Sequence, residues 1–213
     1  MRAPVLFRLT ASFLLTLLVR EAGLARGQKA DSDSRHESGH PDTAYHGGLV
    51  TPPLPKPKFT LTDTSGARFD FRSQTDGHVT LLFFGFTNCP DVCPMQMSYL
   101  ADALKKLPKN LADRFKIVFV TTDPDRDNPQ VLRAWLNHLD KDFIGLTGSL
   151  AEVQAAQSAA NMPLAKGAPD YAHSSFVLAY TRDNLAHVIY PAGVTQADWL
   201  HDLPQLAKEA WTK

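Results

Sequence analysis

Cys89 and Cys93 are the only cysteines in the chain, three residues apart and each followed by a proline in the run CPDVCP. A pair this close has a short list of uses. As a structural disulfide it would be a weak staple, because closing a loop of about five residues is worth only roughly 2 kcal/mol. As a dithiol it can exchange with other disulfides, Cys89 attacking and Cys93 resolving. As two thiolates it selects Cu(I) or Zn, and a third, imidazole ligand suits copper in a trigonal site. A fourth reading, an inert buried pair, is opposed by Asp91 and the two prolines, which make an exposed turn.

The flanking residues say which elements hold the pair. Val79 to Phe86 is an apolar run rich in aromatic and β-branched residues, the mark of a strand buried on both faces. Thr87 and Asn88 break it. From Met97 the apolar positions Leu100, Ala101, Leu104 and Leu107 recur at helical spacing. The cysteines therefore stand where a core strand turns into a helix, with Pro94 suited to the first helical position. The positive end of that helix favours thiolate, so both thiols are expected to ionise easily. Redox enzymes built this way space the pair as CxxC. The CxxxC spacing here puts both sulfurs near one face of the opening turn.

A third ligand must come from a loop beside that helix N-terminus. His173, in DYAHSSFVLAY, immediately precedes a strand pattern and is the candidate. His138 falls on a helix, His187 in a hairpin strand, and His78 at the far end of the central strand. Asp123, in TTDPDRDNP, ends the second core strand; it neighbours the site or simply forms an Asp-Pro turn. Asp91 tunes the thiolates or caps the helix, and capping is the expected role.

Around this centre, 22 basic residues balance 22 acidic ones, which removes the electrostatic case for nucleic-acid binding. Arg2 and Arg8, the apolar segment Leu9 to Val19 and the small residues Ala22 to Gly27 form a signal-like leader over 1–27, either cleaved or kept as a short anchor. Either way the folded part is expected in an oxidising space outside the cytosol, periplasmic or otherwise exported. Residues 28–58 lack periodicity and end in TPPLPKPK, a semi-rigid linker. His36, His40 and His46 lie in it, as part of a solvated tail or as an accessory metal site.

A domain is expected over 59–211. It opens with a hairpin (Phe59–Thr62 and Ala67–Phe71) and continues through the central strand and helix to a second buried strand, Lys116 to Thr122. Asn128-Pro129 then opens a helix burying Val131, Trp135 and Leu139, with Leu132 and Leu136 beside them, and Ser149 with Glu152 caps another carrying Leu150, Val153, Ala156 and Ala160 inward. A hairpin, Ser175–Thr181 and Ala186–Tyr190, precedes a last helix that Pro204 should kink or interrupt. A β-α-β start demands parallel strands, and the later hairpin adds antiparallel ones. The fold class is α/β: a thioredoxin-like mixed sheet flanked by helices.

FFGFTNCPDVCPMQM, VFVTTDPDRDNP and DYAHSSFVLAYT, in this order, resemble the three signature blocks of the SCO/SenC copper chaperones, over about Phe59 to Leu206. The resemblance implies copper bound by Cys89, Cys93 and His173, and assistance to the binuclear copper site of cytochrome c oxidase subunit II, by delivering the metal or reducing that site's cysteines. A monomer is expected. The third block departs from the family, since Ala172 alone separates Tyr171 from His173 and shortens the loop that carries the histidine. A thiol–disulfide oxidoreductase using the same cysteines is the alternative, and it does not need His173. A peroxidase of related fold would require a nearby Arg and Thr, of which Thr87 is the one visible fragment.

Overall fold

The computed structural model describes residues 45–162, 176–208 and 211. Its elements, in chain order, are β1 (Gly48–Pro55), β2 (Thr60–Asp63), β3 (Arg68–Asp70), α1 (Phe71–Gln74), β4 (Val79–Gly85), α2 (Val92–Lys106), α3 (Lys109–Ala112), β5 (Phe115–Thr121), α4 (Pro129–Asn137), β6 (Ile144–Thr147), α5 (Leu150–Ala159), β7 (Val177–Tyr180), β8 (Leu185–Tyr190) and α6 (Gln196–Lys208). The strands form one mixed sheet in the order β1-β8-β7-β4-β5-β6-β2-β3. Its centre, β4-β5-β6, is parallel, and the β2-β3 and β7-β8 hairpins attach antiparallel on either side. This is the thioredoxin-like arrangement the sequence predicts.

Every residue of β4 is buried, because helices cover both faces. Leu81 and Phe83 meet Met97 and Leu100 of α2, Leu132 and Leu136 of α4, and Trp199 and Leu203 of α6 in one core. Leu82 and Phe84 face the other way, toward Phe71 of α1 and Val153 and Ala156 of α5. Each such side chain contributes about 1.5–3 kcal/mol by leaving water. The unbroken apolar run is thus the cost of a strand with no wet face.

Three expectations need correction. The linker reading of 28–58 fails at its C-terminal end, where Gly48–Pro55 is an edge strand antiparallel to β8. Its register slips between Leu49 and Leu54, where Thr51-Pro52-Pro53 falls, and an edge strand with a bulge is where prolines can sit in a sheet. On α4 the fully buried residues are Leu132 and Leu136, Trp135 and Leu139 pack partly beside them, and Val131 is 40% exposed. Leu150 is only half-buried, and Gln157 completes the inward face of α5. Pro204 lies inside α6 without ending it. The capping box of Ser149 and Glu152 is present as expected.

Candidate metal centre

The parallel strands all end at one edge of the sheet, and the thiols stand there. Cys89 lies in the turn after β4, its backbone N–H donating to the Phe86 carbonyl at 3.3 Å. Cys93 occupies the first turn of α2, and its N–H points at the Cys89 sulfur, 3.5 Å away. Both are reduced thiols. The expected exposed turn is wrong for the sulfurs: Cys93 is fully buried and Cys89 is 8% exposed. They are sunk because α2 packs its first turn onto β4. The closest approach is at Gly85, where an added Cβ would lie 2.8 Å from the Cys93 sulfur and 2.8 Å from the Phe83 ring. Only glycine leaves that sulfur its place.

The two thiols differ sharply in acidity, against the expectation that both ionise easily. Burial pushes the Cys89 thiol up, but the N–H groups of Asp91, Cys93 and Val92 and the Cys93 thiol together outweigh it, holding Cys89 below the ordinary thiol value. These are the unsatisfied donors of a helix start, aimed at a sulfur. Cys93 is driven far up by burial, and further by the Cys89 thiol and by the negative charge of Asp127. The pair is therefore unequal: Cys89 gives up its proton more readily than Cys93.

Asp127 escaped the sequence reading. It is buried, and its carboxylate accepts the Thr87 N–H at 2.8 Å, the Thr87 hydroxyl, and the Thr121 hydroxyl at 2.7 Å. The Thr147 hydroxyl donates to its carbonyl at 3.4 Å. One residue thus ties together the ends of β4, β5 and β6 beneath the cysteine turn. Threonines ending two of the predicted strands, with an acidic loop between them, were the available signal. Thr87, offered as a fragment of a peroxidase site, is engaged in this tie.

Asp123 behaves as a turn former. Its carboxylate pairs with the Arg126 guanidinium, its N–H donates to Thr121 Oγ1 at 3.0 Å, and its carbonyl accepts the N–H of Asp127 at 2.9 Å. Asp91 stands at the N-cap position of α2, yet its side chain makes no capping hydrogen bond; its contribution is the backbone N–H turned toward Cys89. His173 lies outside the described residues, as do His36 and His40. His187 pairs with Asp183 at 2.8 Å, His78 Nδ1 meets the Asp76 carbonyl at 2.9 Å, and His138 closes α4. His46 is docked rather than part of a solvated tail: its N–H donates to Asp202 and its ring lies on that of His201.

The SCO1/SenC family model matches residues 51–208. Among curated relatives, the SCO2-like protein of Rickettsia felis is 38% identical over 96 residues, covering 45% of this chain and 46% of that protein. The mitochondrial protein SCO1 of Saccharomyces cerevisiae is 36% identical over 109 residues, covering 51% of this chain and 36% of that one. The chain spans half or less of the length of these two relatives. Among solved structures, copper-bound ScoI of Bradyrhizobium japonicum is 28% identical with a TM-score of 0.60, covering 72% of this chain and 99% of that one. Copper-bound yeast Sco1 is 28% identical with a TM-score of 0.63, covering 75% and 91%.

Proposed function

The chain belongs to the SCO1/SenC family, and from that membership and the acidity of its thiol pair we propose that it carries copper on Cys89, Cys93 and His173. The observation that carries the reading is the two buried sulfurs at the start of α2, the Cys93 N–H 3.5 Å from the Cys89 sulfur, with Cys89 the more acidic thiol. Cu(I) is held by soft thiolates, so the Cys89 thiolate captures the ion first. Its positive charge then expels the Cys93 proton, and uptake is coupled to proton release. Release reverses the order: an acceptor thiolate displaces Cys93, which takes a proton back. Burial of both sulfurs keeps water and oxidants away meanwhile.

His173 is four residues upstream of Val177 in sequence. Val177 pairs with Phe83 near the thiol end of β4. That register supports an imidazole as third donor. The acceptor is the binuclear copper site of cytochrome c oxidase subunit II, and the working place is periplasmic or otherwise exported, with the signal-like leader of residues 1–27 as address or short anchor. No helix among the described residues is long and apolar enough to cross a membrane. The protein acts as a monomer. The test is transfer: copper-loaded protein mixed with the reduced, metal-depleted subunit II copper domain should lose its copper to that domain. Copper retained by the donor at equilibrium would contradict the assignment.

The same acidity split favours one second reading. A thiolate at Cys89 with Cys93 protonated behind it is the order of attack and resolution in a dithiol reductase. Cys89 sulfur attacks a substrate disulfide, one substrate thiol leaves, and Cys93 then closes the Cys89–Cys93 disulfide, releasing the second thiol. His173→Ala separates the two readings, since it weakens copper binding and leaves this exchange intact.

A further inference from the structure

The segment before β1 is anchored with more care than a linker requires. Tyr45 stacks on Trp211 at 5.9 Å, and the His46 ring stacks on His201 at 4.0 Å with 14° between planes. The N–H groups of His46 and Gly47 both donate to Asp202, each at 3.0 Å. An added Cβ at Gly47 would come within 2.5 Å of Val188, so the chain lies directly on β8. Asp202 is fully buried, whereas His46 and His201 keep 46% and 31% of their side chains exposed.

One imidazole is oriented by a carboxylate outside the cluster, and the other stands directly against a carboxylate within it. His46 Nδ1 lies 2.6 Å from Asp198, and His201 Nδ1 lies 2.6 Å from Asp202. At His46 the Asp198 carboxylate fixes the tautomer that presents the other nitrogen's lone pair, the arrangement found behind metal-ligating histidines, while His201 Nδ1 and Asp202 are two adjacent donors. One ring nitrogen from each histidine and an oxygen of Asp202 lie within 4.8 Å of one another. Donors of a tetrahedral site with bonds of about 2.1 Å are about 3.4 Å apart, a gap that rotation of the half-exposed His46 ring closes.

We propose that His46, His201 and Asp202 form a second metal site, taking a divalent borderline cation of the Zn(II) or Cu(II) class, with Asp198 orienting His46. Two imidazoles and a carboxylate without sulfur suit these ions and not Cu(I). The site is separate from the thiol pair in donors and in preferred oxidation state. Through Gly48↔Ile189, Val177↔Tyr190 and Phe83↔Val177, the strand register brings it to the same end of the sheet as the cysteines. A cation there clips the N-terminal segment, and whatever precedes it, onto α6.

The test is equilibrium dialysis of the full-length chain against Zn(II) and, separately, Cu(II), beside His46→Ala and His201→Ala, with circular dichroism confirming that each variant folds. The expected result is that the bound stoichiometry falls by one ion per chain in either variant. A variant-free check is the long-range proton–nitrogen spectrum of the histidine rings with one equivalent of Zn(II), in which the His46 and His201 ring nitrogens should shift together. Undiminished stoichiometry in folded variants, or shifts confined to other histidines, would overturn the site. Neither outcome bears on Cu(I) at the cysteines.

Discussion

Cys89 and Cys93 stand side by side at the start of α2 but do not share one environment. Helix-start N–H groups outweigh burial at the first sulfur, and burial dominates at the second. Iodoacetamide should therefore modify Cys89 with a pH midpoint below the ordinary thiol value of about 8.5. Cys93 should stay unmodified through that range in the folded protein. Mass spectrometry of peptides after timed quenching checks this, and equal labelling at neutral pH would contradict it. The position of both cysteines was readable because a strand, a turn and a helix are local patterns. Their unequal acidity was not, since the burial of Cys93 depends on how closely α2 packs onto Gly85 of β4.

At the level of elements, the site rests on the joined ends of three parallel strands. Asp127→Ala would leave the Thr87 N–H and two hydroxyls without their acceptor, and each buried group stranded in this way costs about 1–3 kcal/mol. Urea unfolding should accordingly show a loss of several kcal/mol, on the order of 3. Removing that negative charge should also lower the pH at which Cys93 becomes reactive, because the charge now pushes Cys93 up. No loss of stability would mean that the tie is ornamental. The sequence reading found the strands and missed the tie, because Thr87 and Thr147 are distant in sequence from Thr121 and Asp127 and meet them only when β4, β5 and β6 align. For α4, 131/135/139 and 132/136 both repeat at helical spacing, and the sheet beneath decides in favour of the second. For β1, prolines and the absence of alternation masked an edge strand that β8 holds in place.

At the scale of the whole molecule, one cation among the described residues is buried outside both candidate sites. Lys56, read from sequence as part of a solvated linker, is 1% exposed, and its ammonium donates to the Thr75 carbonyl and to the hydroxyls of Thr75 and Thr80. Burial lowers it from 10.5 to about 8, with Asp76 opposing and Arg72 assisting. Between those two values the unfolded chain holds a proton that the folded chain has lost, so this group makes stability rise with pH across that window. The contribution can reach about 1.4 kcal/mol per pH unit. Buried Tyr180 and Tyr190, both raised, act in the opposite sense above pH 10, so the comparison must be with Lys56→Met. Relative to that variant, wild type should gain stability from pH 8 to pH 10 in denaturant titrations. A constant difference would show that Lys56 does not titrate there.

Central to the proposed function is a copper site of two unequal cysteines and a histidine. It is tested most directly by a Cu(I) competition titration of the reduced protein against a chromophoric chelator, with Cys93→Ser and His173→Ala alongside. One copper ion per chain should bind, and each substitution should weaken it by at least the roughly 10–100-fold that losing even a supporting partner costs. Binding no tighter than in the substituted proteins would contradict the copper reading and leave the dithiol's reduction potential as the quantity that defines the protein.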